Sequence, residues 1–268
     1  MKGRVIYLTL IMTLTDAPSG LKHQLLRDIV LHKMIQLNNI SKSFDGVFAV
    51  RDLSVTVDKG EVFGLVGPNG AGKTTTINIM TGLLRPDAGN VTIGGYSITN
   101  DPMKAKAILG YVPDRAFLYE KLTAREFLKF IASIYDIEKS EALRKIEILA
   151  EIFGIKDLSD ELIEGFSQGM RQRLLFAAAL IHDPQILLID EPFMGLDPFG
   201  VRMLKGHIRE LSEKGVTVFL VTHSLHIAEE VCHRVGFINK GSLTSIRTAE
   251  EIKKIEGGLE GLFLSMGE

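Results

Sequence analysis

The sequence predicts an α/β fold: a core with a mostly parallel sheet, an antiparallel β-subdomain and an inserted helical subdomain. Apolar runs at 62–66, 186–189 and 216–221 are typical of strands that are buried on both faces of a parallel sheet. Residues 35–40 and 53–57 alternate apolar and polar side chains, as half-buried antiparallel strands do. From about 101 to 164, apolar side chains recur at helical spacing and strand signals are few.

Length and composition agree with an ordinary globular chain. The 268 residues are 46% hydrophobic and 24% charged, which excludes a disordered or fibrous protein and suggests one or two domains. The 31 basic and 33 acidic residues leave a net charge of −2, so we expect no nucleic-acid partner. The single cysteine, Cys232, cannot form an intrachain disulfide.

Residues 1–33 differ from the rest, and we treat them as an N-terminal extension ahead of one domain at 34–268. Two basic residues precede an apolar run at 5–14, which weakly resembles a secretory signal. The run is shorter than the roughly 20 residues that a bilayer-spanning helix needs. A surface segment without a special role, or a natural start at Met34, explains the same pattern, and the sequence leaves these readings open.

The other elements follow in chain order. A helix is predicted over about 72–84, and the helical subdomain over about 101–182. A helix at about 199–214 joins the strands at 186–189 and 216–221 into a βαβ unit, whose two strands are expected to be parallel. A hairpin with strands at 235–239 and 242–246 and a short helical tail at 247–268 complete the domain.

A glycine-rich loop follows the first buried strand. Its residues match the pattern G-x-x-x-x-G-K-[ST]: Gly67-Pro68-Asn69-Gly70-Ala71-Gly72-Lys73-Thr74. Such a loop turns successive N–H groups toward one anion, and the following helix adds its positive N-terminal end. We expect Lys73 to reach the β- and γ-phosphates of ATP, Thr74 to ligate Mg²⁺, and Thr75 to join the nucleotide-binding residues. The alternative, a solvated lysine on a plain turn, is disfavoured by the strand before the loop and the helix after it.

Two carboxylates end the next buried strand, in Ile186-Leu187-Leu188-Ile189-Asp190-Glu191. Ligands of open parallel sheets bind at the carboxyl ends of the strands. We expect Asp190 to serve the Mg²⁺ ion and Glu191 to polarise an attacking water. Taken alone, the pair is equally well explained as an acidic turn closed by Pro192; the phosphate loop upstream favours catalysis.

Three further segments resemble one family. Phe166-Ser167-Gln168-Gly169-Met170-Arg171-Gln172-Arg173 resembles the signature sequence of the ATP-binding cassette (ABC) ATPases. Gly195-Leu196-Asp197-Pro198 resembles their D-loop, and His223 their switch histidine. Order and spacing agree over residues 34–243, and the resemblance implies a P-loop NTPase core that binds ATP and Mg²⁺ and hydrolyses ATP.

The resemblance also implies a dimer. Ser167 and Gly169 open a helix expected to begin near Met170, and a hydroxyl with free N–H groups there makes a second anion site. In the family, the signature of one subunit covers the γ-phosphate held by the other, so ATP lies at a head-to-tail interface. By the same resemblance, Asp197 helps to join the two sites and His223 holds the γ-phosphate or the attacking water.

Two positions, Gln168 and Asp114, depart from the usual family pattern, and Phe44 has a common counterpart in the family. Gln168 stands where many members carry glycine, which is tolerable if its side chain points away from the phosphate. Asp114 stands where the glutamine of the family's Q-loop is expected; aspartate can ligate Mg²⁺ but cannot donate a hydrogen bond when ionised. Phe44 lies where the family often has an aromatic residue that stacks on adenine; capping the core of the β-subdomain is the alternative.

The predicted function is that of the ATP-hydrolysing subunit of an ABC membrane transporter, on the cytoplasmic face of the membrane. The implied partners are membrane-spanning permease subunits and a second ABC ATPase subunit, identical or not. Residues 110–113 and 118–123 most resemble type-2 exporters. The stretch Ala116-Phe117-Leu118-Tyr119 is a candidate permease contact or part of the packing within the helical subdomain. The alternatives are a soluble ABC ATPase that acts on ribosomes or DNA, and a module that binds ATP without turnover.

Overall fold

The computed structural model describes residues 33–115 and 117–265, with side chains through residue 261. The predicted N-terminal extension therefore lies outside the described residues except for Lys33, which begins the first strand. No helix within these limits is long and apolar enough to cross a membrane.

The described strands form two sheets. The strands are β1 (Lys33–Phe44), β2 (Val47–Asp58), β3 (Val62–Val66), β4 (Ala88–Ile93), β5 (Tyr96–Ser97), β6 (Leu109–Val112), β7 (Ile186–Asp190), β8 (Thr217–Thr222), β9 (Arg234–Asn239) and β10 (Ser242–Thr248). One sheet has the order β2-β1-β4-β5 and is antiparallel. The other has the order β10-β9-β3-β8-β7-β6; all its neighbours are parallel except the β9–β10 hairpin. The predicted α/β class, with its mostly parallel sheet and antiparallel subdomain, is confirmed.

The described helices are α1 (Lys73–Met80), α2 (Pro102–Ala107), α3 (Ala124–Ile134), α4 (Lys139–Ile152), α5 (Gln168–Leu180), α6 (Pro198–Glu213), α7 (Leu225–Val231), α8 (Ala249–Ile252) and α9 (Gly258–Ser265). Helix α1 stops four residues before the predicted end. The Thr81 hydroxyl donates to the carbonyls of Ile77 and Asn78. Gly82 then takes a left-handed φ of 68°, which ends the helix.

Three strands were not predicted: β4, β5 and β6. Strand β6 lies inside the range predicted for the helical subdomain, about 101–182, yet it forms the edge of the larger sheet beside β7. Gly110 in β6 explains the weak strand signal, because glycine lowers strand propensity. A Cβ atom there would lie 2.5 Å from the carbonyl oxygen of Ala179, so the glycine lets helix α5 pack directly on the strand.

The larger sheet is covered on both faces, which explains its unbroken apolar runs. In β7, Ile186 and Leu188 face the cluster shared with α1 and the antiparallel sheet. Leu187 and Ile189 face the opposite cluster, which contains residues of α3, α4, α5 and α6. The helical subdomain thus shares a continuous apolar core with the sheet, and the carboxyl ends of β3, β6, β7 and β8 meet at one edge.

Candidate functional site

The phosphate loop is held between two strands that are distant in sequence. A Cβ atom on Gly67 would lie 2.2 Å from the carbonyl oxygen of Ile238 in β9. A Cβ atom on Gly72 would lie 2.2 Å from the carbonyl oxygen of Ala49 in β2, and Gly72 has a φ of 107°. Only glycine fits both contacts, so the shape of the loop is set by the sheets around it. Gly70 also has a positive φ, 78°, but open space around it.

Lys73 begins α1 and is buried at the mouth of this loop. Its ammonium donates to the carbonyls of Gly67 at 2.8 Å and Pro68 at 3.1 Å. Burial lowers the pKa of Lys73, and the carboxylates of Glu191 and Asp190 oppose that shift. The Lys73 ammonium is therefore held inside a loop whose backbone N–H groups suit an anion.

The remaining loop residues surround this cation. Pro68, Asn69 and Thr74 are exposed, Ala71 is buried and Thr75 is half-buried. Sequence reasoning missed Thr76, whose buried hydroxyl donates to the Gly72 carbonyl at 2.9 Å and steadies the first turn of α1. Its position four residues after the last loop glycine was the available signal, since a helical threonine commonly bonds back to the carbonyl at i−4.

Asp190 ends β7 and is 1% exposed. Neither of its carboxylate oxygens has a hydrogen-bond partner among the described residues. Burial raises the pKa of Asp190 to about 6, and the negative charges of Glu191 and Asp114 add to the rise. The nearby Thr74 hydroxyl and the Lys73 ammonium oppose it. A buried carboxylate without a partner is suited to a cation.

Glu191 directs its carboxylate toward Lys73 and His223. Its Oε1 lies 4.0 Å from Lys73 Nζ and 2.9 Å from His223 Nδ1. The backbone of Glu191 is left-handed, with a φ of 46°, and its N–H donates to the Val221 carbonyl at 2.9 Å. His223 follows β8, the parallel neighbour of β7, so the sheet brings the two side chains together. The predicted catalytic residues Lys73, Glu191 and His223 thus form one cluster.

Asp114 and Phe44 lie at the margins of this cluster. Asp114 is exposed, two residues after β6. Its charge, with that of Asp190, adds to the effect of burial, which raises the pKa of Tyr111 to about 12. Phe44 ends β1 and is 49% exposed, with Lys42 Nζ 5.7 Å from its ring centroid. That exposure disfavours a role for Phe44 in the core of the β-subdomain and leaves its ring free to stack.

The signature residues lie at the start of α5. The helix begins at Gln168, two residues before the predicted start, and the Ser167 hydroxyl accepts from the Met170 N–H at 3.3 Å. Gln168 Nε2 donates to the Met194 carbonyl at 3.4 Å. A Cβ atom on Gly195 would lie 2.6 Å from the Gln168 side chain. The Gln168 side chain therefore packs on the loop that follows Glu191.

Asp197 closes that loop as the N-cap of α6, where its carboxylate accepts from the Gly200 N–H at 2.7 Å. Gly169 packs near Leu196, so the start of α5 and the loop form one surface. Among the described residues, no hydrogen bond or ion pair links Ser167, Gln168 or Gly169 to the phosphate loop. The predicted site residues therefore form two groups, joined through residues 191–197.

The residues present fit ATP with Mg²⁺. The glycine-lined loop, the buried ammonium and the start of α1 suit the phosphates. Asp190 and Thr74 are placed to hold the ion, with Asp114 nearby. No cluster of three or more His, Cys, Asp or Glu residues in the described part of the chain could hold a metal unaided. The oxygen donors of Asp190 and Thr74 suit Mg²⁺, which proteins usually bind through one or two carboxylates together with substrate phosphates.

Known proteins that resemble this chain in sequence and in fold are named as ATP-binding proteins. Residues 50–194 match the ABC transporter family. The linearmycin resistance ATP-binding protein LnrL of Bacillus subtilis is 39% identical over 84% of this chain and 72% of its own. The lipopolysaccharide export system ATP-binding protein LptB of Haemophilus influenzae is 35% identical over 83% of this chain and 94% of its own. A solved ATP-binding subunit of an ABC transporter superposes with a TM-score of 0.81 at 30% identity, covering 88% of this chain and all of that one.

Proposed function

The chain belongs to the ABC transporter family as one of its ATPase subunits, and from this premise we propose that it powers an exporter by ATP-dependent closure of a dimer. The observation that carries the proposal is the cluster of Lys73, Glu191 and His223 beside the glycine loop. We place the protein on the cytoplasmic face of a membrane, held there by permease subunits. Transport is favoured over action on ribosomes or DNA because the similar proteins carry transport and resistance names.

The residues divide the hydrolytic work among them. Bound Mg-ATP supplies the γ-phosphoryl group that water attacks. Glu191 accepts a proton from that water, and the His223 Nδ1–H holds the carboxylate by a hydrogen bond. Lys73 and the loop N–H groups stabilise negative charge on the phosphate oxygens. Asp190 and Thr74 hold the Mg²⁺ ion, with Asp114 as a further candidate ligand, while Phe44 stacks on adenine.

A second subunit completes the site. Each chain brings one phosphate loop and one helix start at Ser167, and the two lie in separate groups. In the proposed dimer, Ser167, Gln168 and Gly169 of one subunit face the ATP held by the other, and Asp197 lies between the two sites. Closing on ATP and reopening after hydrolysis is the movement that drives the permease.

A groove of about 370 Å³ beside this site suits the permease. Its lining includes Leu83, Tyr111, Ile131, Ile134 and Tyr135. The side chains of Leu83 and Ile134 are 68% and 59% exposed, so the groove presents apolar surface that a partner could cover. The groove is close to the nucleotide site, because Tyr111 in its lining pairs with Leu188, two residues before Asp190. We propose that an amphipathic cytoplasmic helix of the permease docks here.

The test is recovery of the permease from detergent-solubilised membranes with tagged Glu191→Gln protein and Mg-ATP. This variant should retain ATP and stay closed, because the water lacks its base. Mass spectrometry should find a multi-span membrane protein in stoichiometric yield. Ile134→Arg, at a side chain that is 59% exposed, should abolish its recovery, whereas Leu143→Arg, at an apolar side chain of α4 that is 37% exposed and outside the groove lining, should not. Recovery of ribosomal or DNA-repair partners alone would refute the transporter assignment.

A further inference from the structure

The loop before α3 and the segment before α5 are joined along their backbones. The Glu164 N–H donates to the Glu120 carbonyl at 3.1 Å, and the Ile163 N–H donates to the Leu122 carbonyl at 3.0 Å. Thr123 and Leu162 form an isolated antiparallel bridge. These bonds tie residues 120–123 to residues 162–164, so the two segments are expected to move together.

Arg171, in the first turn of α5, fastens both segments to the helix. Its Nη1 donates to Glu120 Oε1 at 2.7 Å, its Nε to the Phe166 carbonyl at 3.1 Å and its Nη2 to the Glu164 carbonyl at 3.2 Å. Its side chain is only 24% exposed. Guanidinium presents several donors in a fixed plane, so one side chain can hold three acceptors in a set geometry, which a lysine ammonium does less well.

The two segments that Arg171 contacts lie beside two surfaces, the turn that presents Ser167 and an exposed aromatic loop. Phe166 directly precedes Ser167, the N-cap of α5. Glu120 directly follows Tyr119, whose ring packs against Phe127 and Phe130 at 6.5 and 5.5 Å between centroids. Phe117, two residues earlier, is 92% exposed. Arg171 is thus the side chain between an exposed aromatic loop and the turn that presents Ser167.

We propose that Arg171 is a positioning residue that couples the aromatic loop at 117–122 to the Ser167 turn. Displacement of the loop by a bound partner shifts the turn, and capture of ATP phosphate at the turn shifts the loop, because coupling between two sites is reciprocal. The neighbouring Lys121–Glu164 ion pair is too exposed to replace it, since exposed pairs contribute little. The inference rests on the proposed function, in which ATP held by a second subunit reaches Ser167.

A fluorophore at the loop tests the coupling in the full chain. The native cysteine, Cys232, is buried, so Phe117→Cys supplies one accessible thiol for an environment-sensitive label. In a Glu191→Gln background, Mg-ATP should change the label's emission while light scattering reports dimer formation. Arg171→Met should abolish most of the emission change, because the side chain that links the loop to the turn is then missing. Dimers should still form at saturating Mg-ATP.

Two more variants separate coupling from general damage. Lys156→Met removes the cation of an ion pair with Glu151 in the same subdomain, a pair that includes neither Arg171 nor its acceptors, and should leave the response intact. Glu120→Gln removes one acceptor charge without altering Arg171, should give an intermediate response, and carries the test if Arg171→Met fails to fold.

The outcomes distinguish this inference from the proposed function. An unchanged emission response in Arg171→Met, or in Glu120→Gln if Arg171→Met does not fold, would overturn the role of Arg171. Dimer formation without any response in the Phe117-labelled parent would overturn it as well. Absence of an ATP-dependent dimer in the parent would instead refute the proposed closure, and the inference would fall with it.

Discussion

Asp190 and Glu191 are neighbours in sequence but meet different surroundings. Asp190 is enclosed at the end of β7, whereas the left-handed backbone of Glu191 brings its carboxylate to Lys73 and His223. A left-handed conformation costs a non-glycine residue on the order of 1–3 kcal/mol, a cost that persists at functional sites when surrounding structure fixes the geometry. The bond from the Glu191 N–H to Val221 is part of that structure. These different surroundings support the proposed division of roles, in which Asp190 serves the metal ion and Glu191 the attacking water.

Asp190→Asn should stabilise the protein at pH 7.5 in the absence of nucleotide and Mg²⁺. Because the folded-state pKa of Asp190 is raised to about 6, its stabilising contribution is complete below the ordinary value of 3.8 and is lost as pH rises through about 6. The gain from the substitution should therefore shrink between pH 7.5 and pH 4. Urea denaturation of both proteins across this range measures it.

Asp87→Asn is the control with the opposite sign. The Lys42 and Ser43 hydrogen bonds lower the pKa of Asp87 to about 2, so its contribution is present above the ordinary value and lost as pH falls through about 2. This variant should be less stable than the wild type at pH 7.5. If Asp190→Asn were also less stable there, burial of the Asp190 charge would not be the dominant effect.

At the scale of elements, the phosphate loop depends on strands that flank it from remote parts of the chain. The Ala49 carbonyl in β2 lies against Gly72, and the Ile238 carbonyl in β9 lies against Gly67. The N–H of Gly241 donates to the Ala71 carbonyl at 3.0 Å, which adds a third tie from the β9–β10 hairpin. The loop is therefore shaped before any nucleotide arrives.

Gly72→Ala should destabilise the protein more than Gly70→Ala. Both positions have a positive φ, which costs alanine roughly 1–2 kcal/mol. Only at Gly72 would the new methyl group also meet a backbone oxygen, at 2.2 Å, and the strand must shift to admit it. Thermal unfolding of the two variants makes the comparison. Equal losses would show that backbone conformation alone accounts for the glycine at 72.

Gln168 illustrates how an element accommodates an unusual residue. Its side chain lies over Gly195 and reaches the Met194 carbonyl, which the positive φ of 73° and the missing side chain at Gly195 permit. From its sequence position, Gln168 is tolerable if its side chain points away from the phosphate. The structure adds that its amide joins the start of α5 to the loop leading to Asp197.

At the scale of the whole molecule, the site residues fall into two groups, which supports the proposed composite site of a dimer. Lys73 begins α1, Asp190 ends β7, and Glu191 and His223 directly follow β7 and β8, whereas Ser167 is the N-cap of α5. In a head-to-tail pair of identical chains, each composite site takes the phosphate loop from one copy and the signature turn from the other.

Mixing two inactive variants of this chain should restore ATP hydrolysis. Lys73→Ala and Ser167→Arg each damage both sites of their own homodimer. In a mixed dimer both lesions fall in one site and the other is intact, so an equimolar mixture should regain roughly a quarter of wild-type turnover, given random pairing and independent sites. Phosphate release measures it. No recovery, with mixed dimers present by mass, would contradict the composite site.

Local patterns in the sequence determined much of this protein. The apolar runs of β3, β7 and β8, the alternation in β1 and β2, and the glycine-rich loop are readable because each depends on neighbouring residues or on a regular period. The two carboxylates at the end of β7 are readable for the same reason. From these the α/β class and the phosphate site follow, and the family resemblance adds the second anion site.

Only the tertiary structure decided the features that depend on remote partners. Strand β6 gains its place from β7, since its four residues are too few to show a period of their own. The raised pKa of Asp190 comes from burial by distant elements, and the ties made by Arg171 and Gln168 join segments that no periodicity connects. Packing and electrostatics depend on which groups are close in space. The sequence could therefore indicate the site residues, whereas their neighbours and the shifts in their pKa values depend on the fold.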